Sequence, residues 1–280
     1  MGPNRKIALV LSGGGMKCAY TAGVLTGLAH TYPRFVPDII IAESGSAGSA
    51  TYYTTGQERH GLTTWLTLAD DKKFFSYWRH PMMDIDYLVD DIFMKRHPFD
   101  LEALRRSTID ITFPLLDVHS GATKYISPKP PQNTYAVVKA AKAIPVLYGK
   151  TIRIDDGEYV DGGFGSYISD HVLEAERRGA TDIIVVRVDN GPGQLMRTAF
   201  KLFARFGKKR MPIFARAAHQ ELARIRPVTA HSATNMITLV PSQRLSLSLT
   251  STGRLAIRTA INQGFDDLVM HPEIETLLRS

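Results

Sequence analysis

Apolar runs of strand length alternate along this chain with stretches of helical spacing, the signature of a largely parallel sheet covered by helices. Residues 7–12 open with an unbroken run of Ile, Ala, Leu and Val and read as a buried strand. Residues 16–30 are helical and end near Tyr32-Pro33. A second short strand over 38–42 leads to a helix over 46–55, closed by Gly56. From 63 to 106 the pattern is helical, with loops around His80-Pro81 and His97-Pro98. Residues 109–117 and 123–127 form a strand pair joined at Ser120-Gly121, and 134–143 a helix stopped by Pro145. Asp155-Asp156-Gly157 is a hairpin turn between strands at 152–154 and 159–160. A strong buried strand over 182–188 precedes a long, mostly basic helical region at 197–226, a last strand over 236–240 and a last helix over 253–270. No repeat or clear linker interrupts the pattern. The expected architecture is a single domain over 1–280, a three-layer α/β/α sandwich with a mainly parallel central sheet. Residues 191–280 form an extension packed on it.

Length and composition narrow the class. A chain of 280 residues that is 44% apolar can bury a large core. No apolar run approaches the roughly 18 residues of a membrane span. The apolar run after Arg5-Lys6 is too short for a secretory signal, and Lys6 stands where a myristoylation motif needs Ser or Thr. The single cysteine, Cys18, excludes an internal disulfide, and a cytoplasmic location is the default expectation. The formal net charge of +7 favours approach to anionic surfaces, phospholipid headgroups or nucleic acid.

Three pieces carry chemistry. Gly13-Gly14-Gly15-Met16-Lys17 lies between a strand and a helix, where successive glycines let backbone N–H groups face one point. The following helix N-terminus adds positive potential, so the loop suits a phosphate or an oxyanion. Its spacing fits neither a dinucleotide fingerprint nor a Walker A loop. Ser44-Gly45-Ser46-Ala47-Gly48 again follows a strand and opens a helix, close to the nucleophile elbow G-x-S-x-G with Ser46 at its centre. Ser44 and Ser49 are alternative nucleophiles away from that centre. Asp161-Gly162-Gly163 ends the hairpin, with an aspartate placed to reach a serine in the sheet's crevice.

Taken in order, these pieces resemble the patatin-like phospholipase family. The stretch Lys139-Ala140-Ala141-Lys142-Ala143-Ile144-Pro145 is similar to that family's segment ending in Ala-x-Pro, and Gly179-Ala180-Thr181-Asp182 also fits. The chain departs from the family pattern at Cys18, Ser44, Ala141 and His171. The resemblance implies a serine lipid acyl hydrolase acting through a Ser46–Asp161 dyad. The N–H groups of Gly13, Gly14, Gly15 and Ala47 would hold the oxyanion, and Lys17 would contact substrate. It implies no metal and no cofactor, and a lipid or phospholipid ester as substrate, met through peripheral membrane contact.

Other readings stay open at this point. One is a Ser-His-Asp esterase, although none of the nine histidines stands in a base-like context. Another is a lipid- or anion-binding protein with little turnover. The 197–226 region holds nine Lys or Arg against one acid, Glu221, but no nucleic-acid-binding motif accompanies it and nucleic acid is not expected as a partner. Its Arg197, Lys201 and Arg205 share a helical face beside Phe200, Phe203 and Phe206, a candidate face for a lipid surface.

Overall fold

A computed structural model describes residues 5–69, 71–79, 81–145, 147–188 and 234–279. Its centre is strand β1 (Ile7–Leu11), whose successive side chains point to opposite faces of a sheet. Leu9 and Leu11 enter one apolar core; Ala8 and Val10 enter another on the reverse face. A strand buried on both faces must be apolar throughout, which explains the unbroken run at 7–11. β2 (Ile39–Ala42) and β7 (Asp182–Val186) flank β1 in parallel and have the same character.

Among the described residues the sheet has eight strands, in the order β5-β6-β3-β2-β1-β7-β8, with β4 also paired to β3. β3 (Asp110–Asp117) continues the parallel set beside β2, and β8 (Asn235–Leu239) beside β7. β4 (Thr123–Ile126), β5 (Ile152–Ile154) and β6 (Gly157–Asp161) add an antiparallel portion. Asp155, at φ +51°, makes the turn that joins β5 to β6.

Helices cover both faces, so the layers are those expected. α1 (Ala19–Thr31), α2 (Ser46–Thr54), α3 (Glu58–Leu68) and α7 (Arg254–Val269) cover the face of Leu9 and Leu11. α6 (Ile168–Arg177) covers the other with Val172 and Ala175. α4 (Leu101–Arg106) precedes β3, α5 (Thr134–Ala140) follows the prolines after β4, and α8 (Pro272–Arg279) closes the chain.

The structure corrects the reading of 63–106 as helix. After α3 the chain forms a small hairpin with an antiparallel bridge between Phe75 and Met83, then a π-helical segment, Tyr87–Arg96. The Asp71 carboxylate accepts the Lys73 N–H at 2.8 Å, a local bond that competes with helix. Pro81 supplies no N–H to continue one. Residues 16–18 belong to a 3-10 turn, Gly15–Cys18, rather than to α1. The basic stretch 197–226, with Arg197, Lys201 and Arg205, lies outside the described residues.

α1 and α7 pack backbone against backbone. A Cβ at Gly264 would collide with the Tyr20 carbonyl, and one at Gly23 with the Ile261 carbonyl. Gly264→Ala should therefore lower unfolding stability by about 1–3 kcal/mol through overpacking. Urea denaturation measures this. A variant as stable as wild type would show that these two helices separate freely.

Candidate active site

Two strand-to-helix turns at neighbouring strand ends make the site, the crevice position typical of open α/β sheets. The first follows β1. Gly14 at φ +156° and Gly15 at φ +58° take conformations that side chains rarely adopt. A Cβ at Gly14 would also collide with Val188, and one at Gly15 with the Leu249 carbonyl. The Met16 N–H donates to Leu249 O and the Lys17 N–H to Gly14 O. Among the described residues nothing accepts the N–H groups of Gly13, Gly14 or Gly15. Lys17 is half-buried in the 3-10 turn and does not line the cleft described below.

The second turn follows β2. Glu43 N–H still bonds Leu11 O at 3.0 Å, and α2 begins at Ser46. Between them Ser44 adopts φ +51°, a left-handed conformation costing a non-glycine residue about 1–3 kcal/mol. Such strain marks the apex of an elbow. Gly45 follows because no Cβ fits there. One would lie 2.6 Å from Gly15 O and 2.8 Å from Cys18 Sγ.

The structure brings Asp161 to Ser44 and not to Ser46. The Ser44 hydroxyl donates to Asp161 Oδ2 at 2.5 Å, and the Gly163 N–H donates to Asp161 Oδ1 at 2.9 Å. Ser46 is fully buried in the first turn of α2, and its hydroxyl donates to the Ser12 carbonyl at 2.7 Å. Ala47 N–H is likewise committed, to Ser44 O at 3.1 Å, so the oxyanion donor expected there is taken. The N–H of Gly45 has no acceptor among the described residues. The glycine pattern of the sequence favours Ser46 as the centre of the elbow. The distance from the last strand residue, Ala42, favours Ser44, since an elbow sits between strand and helix.

Sequence reasoning also missed Lys142. Its side chain is almost fully buried, and its ammonium donates to the carbonyls of Ser44 and Gly45 at 3.2 and 3.3 Å. It lies 5.8 Å from the Phe93 ring centre, within cation–π range. Its neighbour Ala143 accepts the Asp161 N–H, which ties the Ala-x-Pro segment to the end of β6. The remaining newcomers are Glu43 and His171. His171 is fully buried; Nε2 stands 3.4 Å from Glu43 Oε2, and Nδ1 bonds the Tyr125 hydroxyl at 3.0 Å. Among the described residues no histidine hydrogen-bonds Ser44, Ser46 or Asp161.

Burial, and after it the Glu43 carboxylate, push the Asp161 carboxyl up to about 7. The bonds from Ser44 and Gly163 and the charge of Lys142 oppose that rise. Burial pushes the Lys142 ammonium down to about 8, against the pull of Cys18 and Asp161. Beside Ser44 opens a small apolar cleft of about 50 Å³, walled by Met16, Tyr52, Trp65, Leu68, Phe74, Met83, Ile85, Leu88, Phe93 and Ile144. Ser44, Gly45 and Lys142 also line it; Ser46 does not.

A strained serine on a strand-to-helix turn, a glycine-rich loop and a buried carboxylate define an α/β fold with a hydrolase-type site. The chain belongs to the patatin-like phospholipase family, whose model matches residues 9–168. It is 28% identical over 190 residues to the uncharacterized protein YjjU of Escherichia coli (strain K12), covering 65% of this chain and 52% of YjjU. It thus spans about half the length of that curated relative. The crystal structure of VipD from Legionella pneumophila is also similar, with a TM-score of 0.48, 14% identity, and coverage of 99% of this chain and 67% of VipD.

Lys142→Met removes a positive charge that favours the ionised Asp161. The Asp161 pKa should then rise above its value of about 7. Carboxyl-labelled NMR titration of the two proteins reads the shift. An unchanged value would show that Lys142 is electrically remote from Asp161.

Proposed function

We propose that this protein hydrolyses acyl esters of lipids, with Ser44 as nucleophile and Asp161 as its base. The observation that carries this reading is the 2.5 Å hydrogen bond between the strained Ser44 and the buried Asp161. Family membership supports the reaction class, and the apolar cleft beside Ser44 supports an acyl chain as the group bound.

In this mechanism ionised Asp161 takes the Ser44 proton as Oγ attacks the ester carbonyl carbon. The carbonyl oxygen becomes an oxyanion and accepts from the N–H groups of Gly14, Gly15 and Gly45. Each such donor contributes about 3 kcal/mol to the transition state. Collapse breaks the ester C–O bond, and the leaving alkoxide takes the proton from Asp161. Water then gives a proton to Asp161 and attacks the acyl-serine, releasing the fatty acid and restoring Ser44. Lys142 holds the elbow by its two carbonyls and favours the charged form of Asp161. Lys17, at the start of the helix beyond the loop, is assigned contact with the phosphate or headgroup side of the substrate.

Three outcomes are expected. Ser44→Ala should abolish both ester hydrolysis and labelling by a fluorophosphonate. Ser46→Ala loses one buried hydrogen bond, worth about 1 kcal/mol of stability, and should keep most of the rate and the label. Because the base must be ionised, wild-type kcat/KM should climb as pH rises through about 7. Loss of activity and label in Ser46→Ala alone, with Ser44→Ala active, would return the nucleophile to Ser46.

A further inference from the structure

We propose that the hairpin carrying Tyr77 and Trp78 docks the protein onto an anionic lipid bilayer and delivers acyl chains into the cleft. The proposal rests on the acyl-hydrolase reading above. The hairpin is a built element. The Ser76 N–H donates to Met82 O at 2.9 Å and the Asp84 N–H to Phe74 O at 2.8 Å, on either side of the Phe75–Met83 bridge. The Met83 N–H anchors it to Leu147 O at 3.0 Å.

Its two sides differ. Phe74 and Met83 are buried and form part of the cleft wall. At the tip Trp78 is 97% exposed and Tyr77 70%. The Tyr77 ring packs edge-on against Phe75 at 4.7 Å and its hydroxyl meets Thr250 Oγ1 at 3.0 Å, which leaves Trp78 as the side chain that gives its ring to solvent. Rings with a polar edge partition to the headgroup layer of a bilayer, where both parts are satisfied.

The charges around the tip fit a negative surface. Lys72 and Lys73 are exposed, and Arg79 extends from the tip across the Lys73 and Phe74 carbonyls. Among the described residues of the hairpin, Asp71 accepts from the Tyr87 hydroxyl at 2.9 Å and Asp84 lies 3.8 Å from Arg79, so Lys72 and Lys73 are the cations left toward a bilayer. The element that would enter the headgroups is therefore the one whose other side lines the cleft. A chain leaving the bilayer along it stays on apolar surface.

The protein tests this directly, because the two tryptophans of this sequence are Trp65, buried, and Trp78. In Trp65→Phe the emission reports Trp78 alone. Vesicles of phosphatidylglycerol and phosphatidylcholine should shift it to the blue, and brominated acyl chains should quench it; phosphatidylcholine alone should do so weakly. Lys72→Gln with Lys73→Gln should weaken vesicle binding about fivefold per charge. Tyr77→Ser with Trp78→Ser should cut hydrolysis of vesicle phospholipid at least about tenfold, the loss of roughly 1.4 kcal/mol of docking. Hydrolysis of a soluble butyrate ester should stay within about twofold, since neither residue touches Ser44. Unshifted emission, or equal sedimentation of wild type and the double variant with anionic vesicles, would overturn the proposal. Docking by a wild type that hydrolyses neither ester would keep the hairpin's role and remove the hydrolase reading instead.

Discussion

The close approach of two turns governs this site. β1 and β2 are parallel neighbours, so the glycine loop and the elbow leave the sheet side by side and in the same direction. Only glycine at 45 lets them meet, because a Cβ there would press on Gly15 O and Cys18 Sγ. With Gly45 against the loop, the chain can turn from strand to helix in the space available only by passing through the left-handed conformation at Ser44. That conformation turns the Ser44 hydroxyl toward the end of β6, where Asp161 waits. The local strain at Ser44 is held by the surrounding contacts, with Lys142 gripping the two elbow carbonyls from below.

The electrostatics follow from the same crowding. A buried carboxylate is costly unless its charge is satisfied. Asp161 has a serine hydroxyl, one backbone N–H and a nearby ammonium, yet Glu43 stands close enough to oppose them. A Cβ at Gly163 would lie 3.2 Å from Asp161 Oδ1 and would also press on Glu43 Oε1, so the two carboxylates share one small space. The balance leaves Asp161 near 7, where a carboxylate is a far better base than at its ordinary value. Cys18, by contrast, is buried against the same turn and its thiol is pushed up to about 12, mainly by that burial. A thiol held that far from thiolate is inert packing.

The regular part of the fold was legible because its signals are local. Strands buried on both faces must be apolar, and β1, β2 and β7 are. The hairpin turn at Asp155-Asp156-Gly157 carried its own chemistry. α6 was harder, since its apolar face of Val172 and Ala175 is narrow and set among charges. The helical reading of 63–106 failed for a different reason: Phe74, Phe75, Met82 and Met83 match a helical period, and only the Asp71 turn and Pro81 betray the hairpin. In the site, the loop and Asp161 were legible as motifs. The choice among the serines was not, because three of them crowd the turn and the glycine spacing favours Ser46 while Asp161 meets Ser44. Lys142 and Glu43 sit in unremarkable sequence, and their importance comes from elements far away in the chain.

The cleft shows how polar residues can build an apolar surface. Trp65, Tyr52 and Thr64 all line it, and each carries a polar atom. Each atom has a partner within the protein: the Trp65 indole N–H donates to Ser49 Oγ at 2.9 Å, the Tyr52 hydroxyl to His97 O at 2.5 Å and the Thr64 hydroxyl to His60 O at 2.9 Å. Their carbon faces are what remains toward the cavity. Ser44, Ser49 and Lys142 add the remaining polar side chains of the lining. On the reading proposed above, an acyl chain entering such a cleft meets mainly carbon on its walls. A polar chain of the same width would lose its water and find few partners on the walls. On the acyl-hydrolase reading proposed above, selection for an apolar chain follows from how the wall residues spend their hydrogen bonds, and the position of the ester bond from where the strained turn holds Ser44.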